Sequence, residues 1–410
     1  MPKAPTRLLV IVNVYRPDLG GGVLFSDLCE GLSEREFDVT VKCAYSYYPE
    51  WKDKSGQNGW RIRTTVENGV TVERHGIYIP GNPNSLLQRL IYEASFYLSL
   101  RRRLPASNSF DAILVICPLV GAVAYATAAK RKTGAPLWLN VQDLSAQAAA
   151  AGGISKIGFL TRTMVHFQNR LFSKADKRSS ISAPMVEVLE KIGDSIEPVE
   201  LIPNWLHRSL AESIEALHEQ PERERPDGVR LLYSGNIGTK QDLLSFCQHL
   251  HSTQANFHLR IHGDGGRAPE LRSWIHGAHD QRIEIHGLSD EAGLARELFD
   301  ADYYLITERT GVGNSFIPSK LIPGVSSGTP VLAICDGDSP LGDELNRFAF
   351  GPQFSWSNLE DVETVLSSEM VNSDDYKVWS ANALSRSTYY SREQGIARCA
   401  NLIRNMIEKH

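Results

Sequence analysis

Residues 229–241 read VRLLYSGNIGTKQ, a short apolar strand that runs directly into a loop with two glycines and a lysine. A helix-length stretch beginning with DLLSF follows this loop. Apolar strands that alternate with helices indicate a parallel sheet covered on both faces. Ligands of such sheets bind at the carboxyl ends of the strands, where this loop is expected. The stretch therefore predicts a doubly wound α/β domain with a phosphate-binding loop.

The chain repeats this alternation of strands and helices in two sets, separated by a polar stretch at residues 218–228 (HEQPERERPDG). Because 410 residues exceed the usual size of one hydrophobic core, we expect two Rossmann-like doubly wound domains that face a central cleft. They are expected at residues 1–205 and 206–385, with a C-terminal helix in 386–410 that packs back across the interface. The expected strands are Leu8–Val14, Asp38–Ala44, Val70–Tyr78, Ala112–Cys117, Leu137–Val141 and Lys177–Ile181, then Val229–Tyr233, His258–Ile261, Arg282–Ile285, Tyr303–Ile306 and Pro330–Ile334.

The composition is that of an ordinary enzyme and argues against several classes of protein. Hydrophobic residues make up 42% and charged residues 22% of the chain, which is untypical of disordered or coiled-coil proteins. The net charge of −5 argues against general nucleic-acid binding. The cysteines form no C-x-x-C pair and the histidines show no metal-ligand pattern, so we expect no metal and a cytoplasmic location. The apolar run Leu8–Val14 is too short for a signal peptide core or a membrane span.

Glycines follow two further predicted strands. Gly20–Gly22 lie in the first strand-to-helix turn, where backbone amides and a helix N-terminus favour an anionic or hydroxyl-rich ligand. Gly263 and Gly265 flank Asp264 after the strand His258–Ile261. Both segments have a structural alternative, a tight turn without a ligand, because the first is not G-x-G-x-x-G and the second is ordinary turn chemistry.

Two lysines are the candidate phosphate-binding side chains. Lys240 supplies a compact charge to the loop after Val229–Tyr233. The alternative interpretation is that Lys240 is an ordinary surface lysine on a loop. Lys320 follows Pro318 and Ser319, a proline that suits a first helical turn and a hydroxyl that can cap it. A lysine near the positive end of a helix is unfavourable unless an anion is present, which favours diphosphate binding here over a solvated face.

Gln142 and Asp143 end a strand of the first domain and are expected to reach the cleft from its opposite wall. Either side chain can hydrogen-bond a sugar, and Asp143 can act on a proton. The alternative is that Asp143 caps the next helix, which is at least as good an explanation.

Two basic amphipathic stretches of the first domain suggest a membrane-facing side. Residues 85–104 (SLLQRLIYEASFYLSLRRRL) end in an arginine cluster, and residues 154–178 interleave aromatic side chains with lysines and arginines. Basic amphipathic helices can lie on an anionic membrane surface. The alternative is a helix packed on its own sheet with a solvated outer face. Peripheral binding at the inner face of the cell membrane is therefore one of two expectations.

Seven segments in this order resemble the retaining family-4 glycosyltransferases of the GT-B fold, particularly the bacterial branch that builds exopolysaccharide, capsule and O-antigen units. No single segment is decisive, but the ordered set is specific. The segments are YRPDLGGG at 15–22, VQDL at 141–144, IPNW at 202–205, LYSGNIGTKQ at 232–241, GDG at 263–265, PSKL at 318–321 and GTPV at 328–331.

The resemblance implies transfer of a sugar, with retention, from a nucleoside diphosphate sugar to a lipid-linked or growing glycan. UDP is the expected nucleotide, and lysines and backbone amides rather than a metal or other cofactor would stabilise the leaving diphosphate. The expected catalytic residues are Asp143, Lys240 and Lys320. The expected donor-binding residues are Gly21, Gly22, Gly235, Asn236, Gln241, Gly263, Asp264, Gly265, Leu288, Pro318, Ser319 and Leu321.

The chain departs from the resembled family at a pair of glutamates that normally flank the donor sugar and ribose. Counted back from Gly328, their positions hold Ser315 and Pro323, while Glu308 lies upstream of the register. Gln241 aligns as well as Lys240 with the basic residue of the phosphate loop. Two alternatives to a transferase therefore stay open: a nucleotide-sugar epimerase on the same fold, and a nucleotide-binding partner subunit that has lost catalysis.

Overall fold

A computed structural model describes residues 4–83, 85–143, 159–192, 197–218, 228–311 and 318–410, with the backbone alone at 159–162 and 218. The chain divides into two compact units. Unit 1 comprises Met1–Pro203 and Gly395–His410, and unit 2 comprises Asn204–Gln394. Each unit contains one largely parallel sheet, which confirms the two Rossmann-like α/β domains. Most of the expected linker at 218–228 lies outside the described residues.

Unit 1 has an eight-stranded sheet in the order β3-β4-β2-β1-β5-β6-β7-β8. All pairings are parallel except that of β3 with β4. Residues 8–11 of the central strand are fully buried, as expected for a strand covered on both faces. The strands are β1 (Thr6–Ile11), β2 (Phe37–Ala44), β3 (Arg63–Glu67), β4 (Val70–His75), β5 (Ala112–Cys117), β6 (Leu137–Val141), β7 (Lys177–Ser180) and β8 (Glu200–Leu201).

Six helices of the described residues accompany this sheet, the last of which returns from the end of the chain. From Gly395 onward this last helix belongs to unit 1, where the Arg404 guanidinium lies 5.3 Å from the Phe37 ring centre and donates to the carbonyl of Arg35. The helices are α1 (Gly21–Ser33), α2 (Leu86–Arg101), α3 (Val120–Thr133), α4 (Phe159–Phe172), α5 (Ala183–Glu190) and, last in the chain, α14 (Arg392–Glu408).

Unit 2 has a six-stranded, fully parallel sheet in the order β11-β10-β9-β12-β13-β14. The strands are β9 (Val229–Asn236), β10 (Phe257–Asp264), β11 (Ile283–His286), β12 (Tyr303–Thr307), β13 (Val331–Ile334) and β14 (Gln353–Phe354). The helices are α6 (Arg208–His218), α7 (Leu243–Ser252), α8 (Ala268–Ala278), α9 (Glu291–Asp300), α10 (Leu321–Ser327), α11 (Pro340–Phe348), α12 (Ser368–Val371) and α13 (Asp374–Ser387), with 3₁₀ turns at Leu359–Val365 and Thr388–Tyr390.

Alternate residues along the central strands of unit 2 enter two separate cores. Leu231 and Tyr233 pack in one cluster, whereas Leu232 between them packs in the other. Tyr303 and Tyr304 of β12 divide in the same way. Because successive side chains of a strand point to opposite faces, these clusters cover the two faces of one sheet.

Several strand boundaries differ from the expected ones. β1 ends at Ile11 rather than Val14, and the next residues include Asn13, whose buried amide donates to two tyrosine hydroxyls. β3 was not expected, because it is a solvent-exposed edge strand without an apolar run. β9 and β10 continue to Asn236 and Asp264, so the glycines expected in loops partly belong to strands.

Candidate functional site

The side chain of Lys320 crosses the carboxyl end of β9. Its ammonium nitrogen lies 3.6 Å from the centre of the Tyr233 ring and donates to the carbonyl oxygen of Asn236 at 3.3 Å. A Cβ atom at Gly235 would lie 2.9 Å from Cε of Lys320, so the lysine lies directly against the glycine backbone. Burial lowers the pKa of Lys320 to about 7, and no carboxylate in the described part of the chain offsets this effect. The arrangement holds an uncompensated cation at the strand end.

The segment around this lysine differs from the expected helix start. α10 begins at Leu321, so Pro318 precedes the helix, and Lys320 itself occupies the N-cap position. The amide of Leu321 donates to the carbonyl of Pro318, and no side chain caps the helix. Ser319 is exposed and Leu321 is buried. The expected Ser319 cap is therefore wrong, since a tight turn closes this end.

The loop after β9 is braced from within by Gln241. Its side-chain oxygen accepts from the amide of Gly238 at 3.1 Å and from the side chain of Asn236 at 3.4 Å. Lys240 is exposed beside it, and its carbonyl oxygen accepts from the amide of Arg309 at 2.8 Å. Gln241 thus holds the loop together, while Lys240 extends from it towards solvent.

Gly263 and Gly265 are required by the close approach of β10 and β9. A Cβ atom at Gly263 would lie 2.2 Å from the carbonyl oxygen of Gly235, and one at Gly265 would lie 2.5 Å from that of Ile237. Asp264 accepts from the amide of Gly265 at 2.8 Å. Packing accounts for these glycines, and they allow the β9 loop to lie against the β10 loop.

A pocket in unit 2 lies beside the same loop and contains two arginines. Arg267 pairs with Glu270 at 2.9 Å, whereas the Arg309 side chain has no ion-pair partner among the described residues. Arginine side chains favour an anion. The pocket is lined by Ile237, Gly238, Thr239, Asp242, Leu243, Leu244, Arg267, Leu271 and Arg309.

Leu288 lies after β11, at the carboxyl edge of the same sheet. It is 56% exposed. Nearby, the rings of His262 and His286 stack with their centres 5.0 Å apart, and Nδ1 of His262 lies 2.7 Å from the Ser289 hydroxyl. The donor-binding residues expected in the second domain thus lie at the carboxyl ends of β9 and β10 or after the ends of β9, β10, β11 and β12.

In unit 1, Asp18 joins the loops that follow β1 and β2. One carboxylate oxygen accepts from the Ser46 hydroxyl at 2.6 Å and from the amides of Tyr47 and Tyr48 at 3.0 Å each. The side chain is fully buried, and burial raises its pKa. Gly22 is buried against this aspartate, because a Cβ atom there would lie 2.8 Å from that of Asp18. Gly21 opens α1 and is partly exposed.

Gln142 and Asp143 follow β6 as expected. The backbone amide of Gln142 donates to the carbonyl of Cys117, and its side chain donates to Asn140. Asp143 is exposed at the same strand end. Leu144 and the helix that Asp143 could cap lie outside the described residues, so neither interpretation of Asp143 is tested.

Three comparisons place this geometry among known proteins. Residues 20–205 match the model of the glycosyl transferase 4-like domain. The chain is 27% identical over 357 residues to WcaI of Escherichia coli K12, a protein assigned to colanic acid biosynthesis as a glycosyl transferase, covering 83% of this chain and 86% of the relative. The chain is a glycosyltransferase of the GT-B fold.

Solved structures of low sequence identity share the fold of this glycosyltransferase over nearly its full length. Sucrose-phosphate synthase of Thermosynechococcus elongatus superposes with a TM-score of 0.72 at 12% identity, covering 99% of this chain and 100% of that one. Anabaena Alr3699/HepE, solved in complex with UDP and glucose, gives 0.66 at 13% identity, covering 97% and 99%. The expected GT-B architecture is confirmed, and the epimerase alternative is not favoured.

A buried carboxyl group of this glycosyltransferase lies where β12 ends. Glu308 is 9% exposed, and its Oε2 has no hydrogen-bond partner among the described residues. Burial, followed by the charge of Asp336, raises the pKa of Glu308 to about 7, and Lys240 opposes that rise. The two glutamate positions of the resembled family do not supply such a group: Pro323 lies in α10, and Ser315 lies outside the described residues.

Sequence reasoning missed two residues of interest. One is Tyr233, whose ring lies beneath Lys320, and the other is Glu93 in unit 1. Burial raises the pKa of Glu93 to about 7, and its Oε2 accepts from the amide of Gly121 at the start of α3. No sequence signal separates either residue from an ordinary core position. Within the described ranges, no group of three or more His, Cys, Asp or Glu side chains could hold a metal ion, and metal-free transfer stays a prediction.

Proposed function

We propose that this glycosyltransferase binds a nucleoside diphosphate sugar, with UDP as nucleotide, at the carboxyl edge of the unit 2 sheet. The observation that carries the proposal is the ammonium of Lys320, which is held against Gly235 with a pKa near 7 and without a counter-charge from the residues that the structure describes. A diphosphate beside Gly235 would supply that charge. HepE, which was solved with UDP and glucose, supports this nucleotide.

The chemical step we propose breaks the bond between the anomeric carbon and the diphosphate oxygen. The electron pair of that bond leaves with the diphosphate, where Lys320 and Lys240 stabilise the developing negative charge. The acceptor hydroxyl forms the new bond from the same face of the sugar, so that configuration is retained. Its proton passes to the departing phosphate oxygen, and no covalent intermediate with the protein forms.

Glu308 is the carboxyl group we assign to the donor in place of the two absent glutamates. It directly follows β12, the strand next to β9, and its unpartnered oxygen can accept from a sugar or ribose hydroxyl. Asp143, at the end of β6, is proposed to contact the acceptor hydroxyl. The relative assigned to colanic acid biosynthesis supports a growing or lipid-linked glycan as acceptor.

A donor screen tests the proposal. The full chain is incubated with UDP-, GDP- and ADP-sugars and a bacterial membrane extract, and products and released nucleotide are followed by mass spectrometry. We expect release of UDP only when donor and acceptor are both present. Conversion of the donor without an acceptor would instead indicate an epimerase. Binding of UDP without turnover of any donor would indicate an inactive partner subunit. The proposal fails if no nucleoside diphosphate raises the melting temperature.

A further inference from the structure

Helix α2 has apolar side chains on both of its faces. Tyr92, Phe96 and Leu100 are buried in unit 1. On the opposite face Leu87 and Leu98 are 68% and 61% exposed, and Ile91 between them is 43% exposed. A helix that packs on its own sheet normally turns polar residues outward. The exposed face of α2 is therefore not explained by the fold of unit 1.

Trp60 extends the same surface. Its side chain is 77% exposed, and the guanidinium of Arg102 lies 3.7 Å from its ring centre and donates to its carbonyl oxygen. The loop that carries it is fixed, because Asn58 exchanges two hydrogen bonds with the backbone of Ile77 at 2.8 and 2.9 Å. The indole is thus held in solvent by anchored backbone.

The charge of this surface is uniformly positive. Arg101 and Arg102 follow Leu98 on the exposed side of the helix, and neither pairs with a carboxylate in the part of the chain that the structure describes. Arg103 differs, since it pairs with Glu73 at 3.1 Å. We call the set Trp60, Leu87, Ile91, Leu98, Arg101 and Arg102 the α2 face.

We propose that the α2 face binds the surface of an anionic phospholipid bilayer. Aliphatic side chains beside arginines match the apolar and anionic layers of a bilayer surface, and an indole suits the boundary between them. A second copy of this chain fits less well, because it would bring two more arginines and no carboxylate. None of the described helices is long and apolar enough to cross the bilayer, so the contact would be peripheral.

The C-terminal end of the second basic stretch, residues 154–178, does not share these properties. Lys177 and Arg178 are buried in unit 1, where Lys177 pairs with Glu197 and Arg178 donates to the carbonyls of Leu189 and Ile192. These two residues cannot contact a membrane, which corrects the expectation for that end of the stretch. Residues 154–158 lie outside the described residues.

Vesicle binding tests the α2 face without any substrate. The full chain is floated with vesicles of phosphatidylcholine alone and of phosphatidylcholine with phosphatidylglycerol, at low and at raised salt. We expect binding to the anionic vesicles that weakens with salt. Leu87→Gln/Ile91→Gln/Leu98→Gln and Arg101→Glu/Arg102→Glu should each weaken it by about tenfold or more.

Matched controls test whether vesicle binding depends on the α2 face itself or on exposed charge and hydrophobicity anywhere on the protein. Arg131→Glu changes another exposed arginine of unit 1, and Val378→Gln changes a 54% exposed valine of unit 2. Both should bind like the unaltered chain. The proposal is overturned if the unaltered chain does not bind anionic vesicles, or if the α2 variants bind as the controls do.

Brominated lipids locate the indole directly. Vesicles of dibromo-phosphatidylcholine with phosphatidylglycerol should quench the fluorescence of the unaltered chain more than that of Trp60→Phe. Equal quenching of the two chains contradicts the proposal. Binding of the α2 face to a membrane does not depend on the proposed function. Only its role, which is to bring the enzyme to a lipid-linked acceptor, rests on that function. UDP binding, measured on the same variants, reports the proposed function separately and should not change.

Discussion

The ammonium of Lys320 lies 3.6 Å from the centre of the Tyr233 ring, on the face of an aromatic side chain that is itself fully buried. The ring face and the carbonyl of Asn236 are its polar surroundings, and neither carries a full negative charge. Such partners keep a cation in place but do not neutralise it. In the proposed function the diphosphate supplies the missing negative charge.

Replacing this lysine should weaken nucleotide binding without harming the fold. Lys320→Met keeps an unbranched side chain over Tyr233 but removes the charge. Loss of hydrogen bonds from a charged donor, about 1.5–3 kcal/mol, predicts a roughly 10- to 100-fold weaker affinity for UDP by calorimetry. Lys377→Met, at an exposed lysine of unit 2, is the matched control and should bind normally. Unchanged affinity in Lys320→Met would contradict the assignment.

The lowered pKa of Lys320 predicts a pH dependence of both binding and stability. Only the protonated amine attracts a diphosphate, so the affinity for UDP should fall as pH rises above about 7 and more weakly in Lys320→Met. In the ligand-free protein, stability depends on pH with the opposite sign. The unfolded chain binds the proton more tightly between about pH 7 and 10.5, so the Lys320 contribution to stability rises with pH there. Urea titrations of both chains across this range measure the difference.

Glu308→Gln should separate catalysis from stability. The amide keeps the size of the side chain but is a poorer acceptor for a donor hydroxyl, and we expect kcat/KM to fall roughly tenfold or more. Because burial raises the pKa of Glu308 from 4.5 to about 7, the stability that the neutral carboxyl contributes is lost as pH rises from about 4.5 to about 7. The variant should therefore melt higher than the unaltered chain at pH 8 and equally at pH 4.5. Glu360→Gln, at an exposed position, should change neither quantity.

Much of this site could be expected from residues 229–241 and 318–321, because strand, loop and helix follow one another locally. The contact of Lys320 with Tyr233 could not be expected from the sequence. It depends on β12 pairing beside β9, which brings a segment more than 80 residues away onto the strand end. The helix start at Leu321 was missed for a related reason, since a tight backbone turn replaced the expected cap.

The glycines show another limit of sequence reasoning. The sequence allows Gly263 and Gly265 to be ligand contacts or turn residues, yet the spacing between two neighbouring strands accounts for both. The edge strand β3 was missed because exposed strands lack the apolar run that marks buried ones. Only the end of the basic stretch at 154–178 is corrected, because Lys177 and Arg178 satisfy their charges inside unit 1, which a charge pattern does not reveal.

Glu73 in β4 should control the acid stability of unit 1. Its carboxylate pairs with the buried amine of Lys42, with the buried imidazole of His75 at 2.8 Å and with Arg103 at 3.1 Å. Burial alone would raise the pKa of Glu73, but hydrogen bonds and charge from His75 and Lys42 lower this pKa to about 2. The stabilisation is therefore complete above about pH 4.5 and is lost as pH falls towards about 2.

Two variants and one control test whether the buried pair of Lys42 and Glu73 causes the acid sensitivity. Glu73→Gln leaves Lys42 buried without its carboxylate and should lower the free energy of unfolding at pH 7 by about 3–5 kcal/mol in urea titrations. Lys42→Met/Glu73→Gln removes both charges and should recover much of that loss. Glu67→Gln, which breaks the more exposed pair with Arg74, should cost less than about 1 kcal/mol. If Glu73→Gln unfolded no more easily than Glu67→Gln, the buried pair would not be the source of the acid sensitivity.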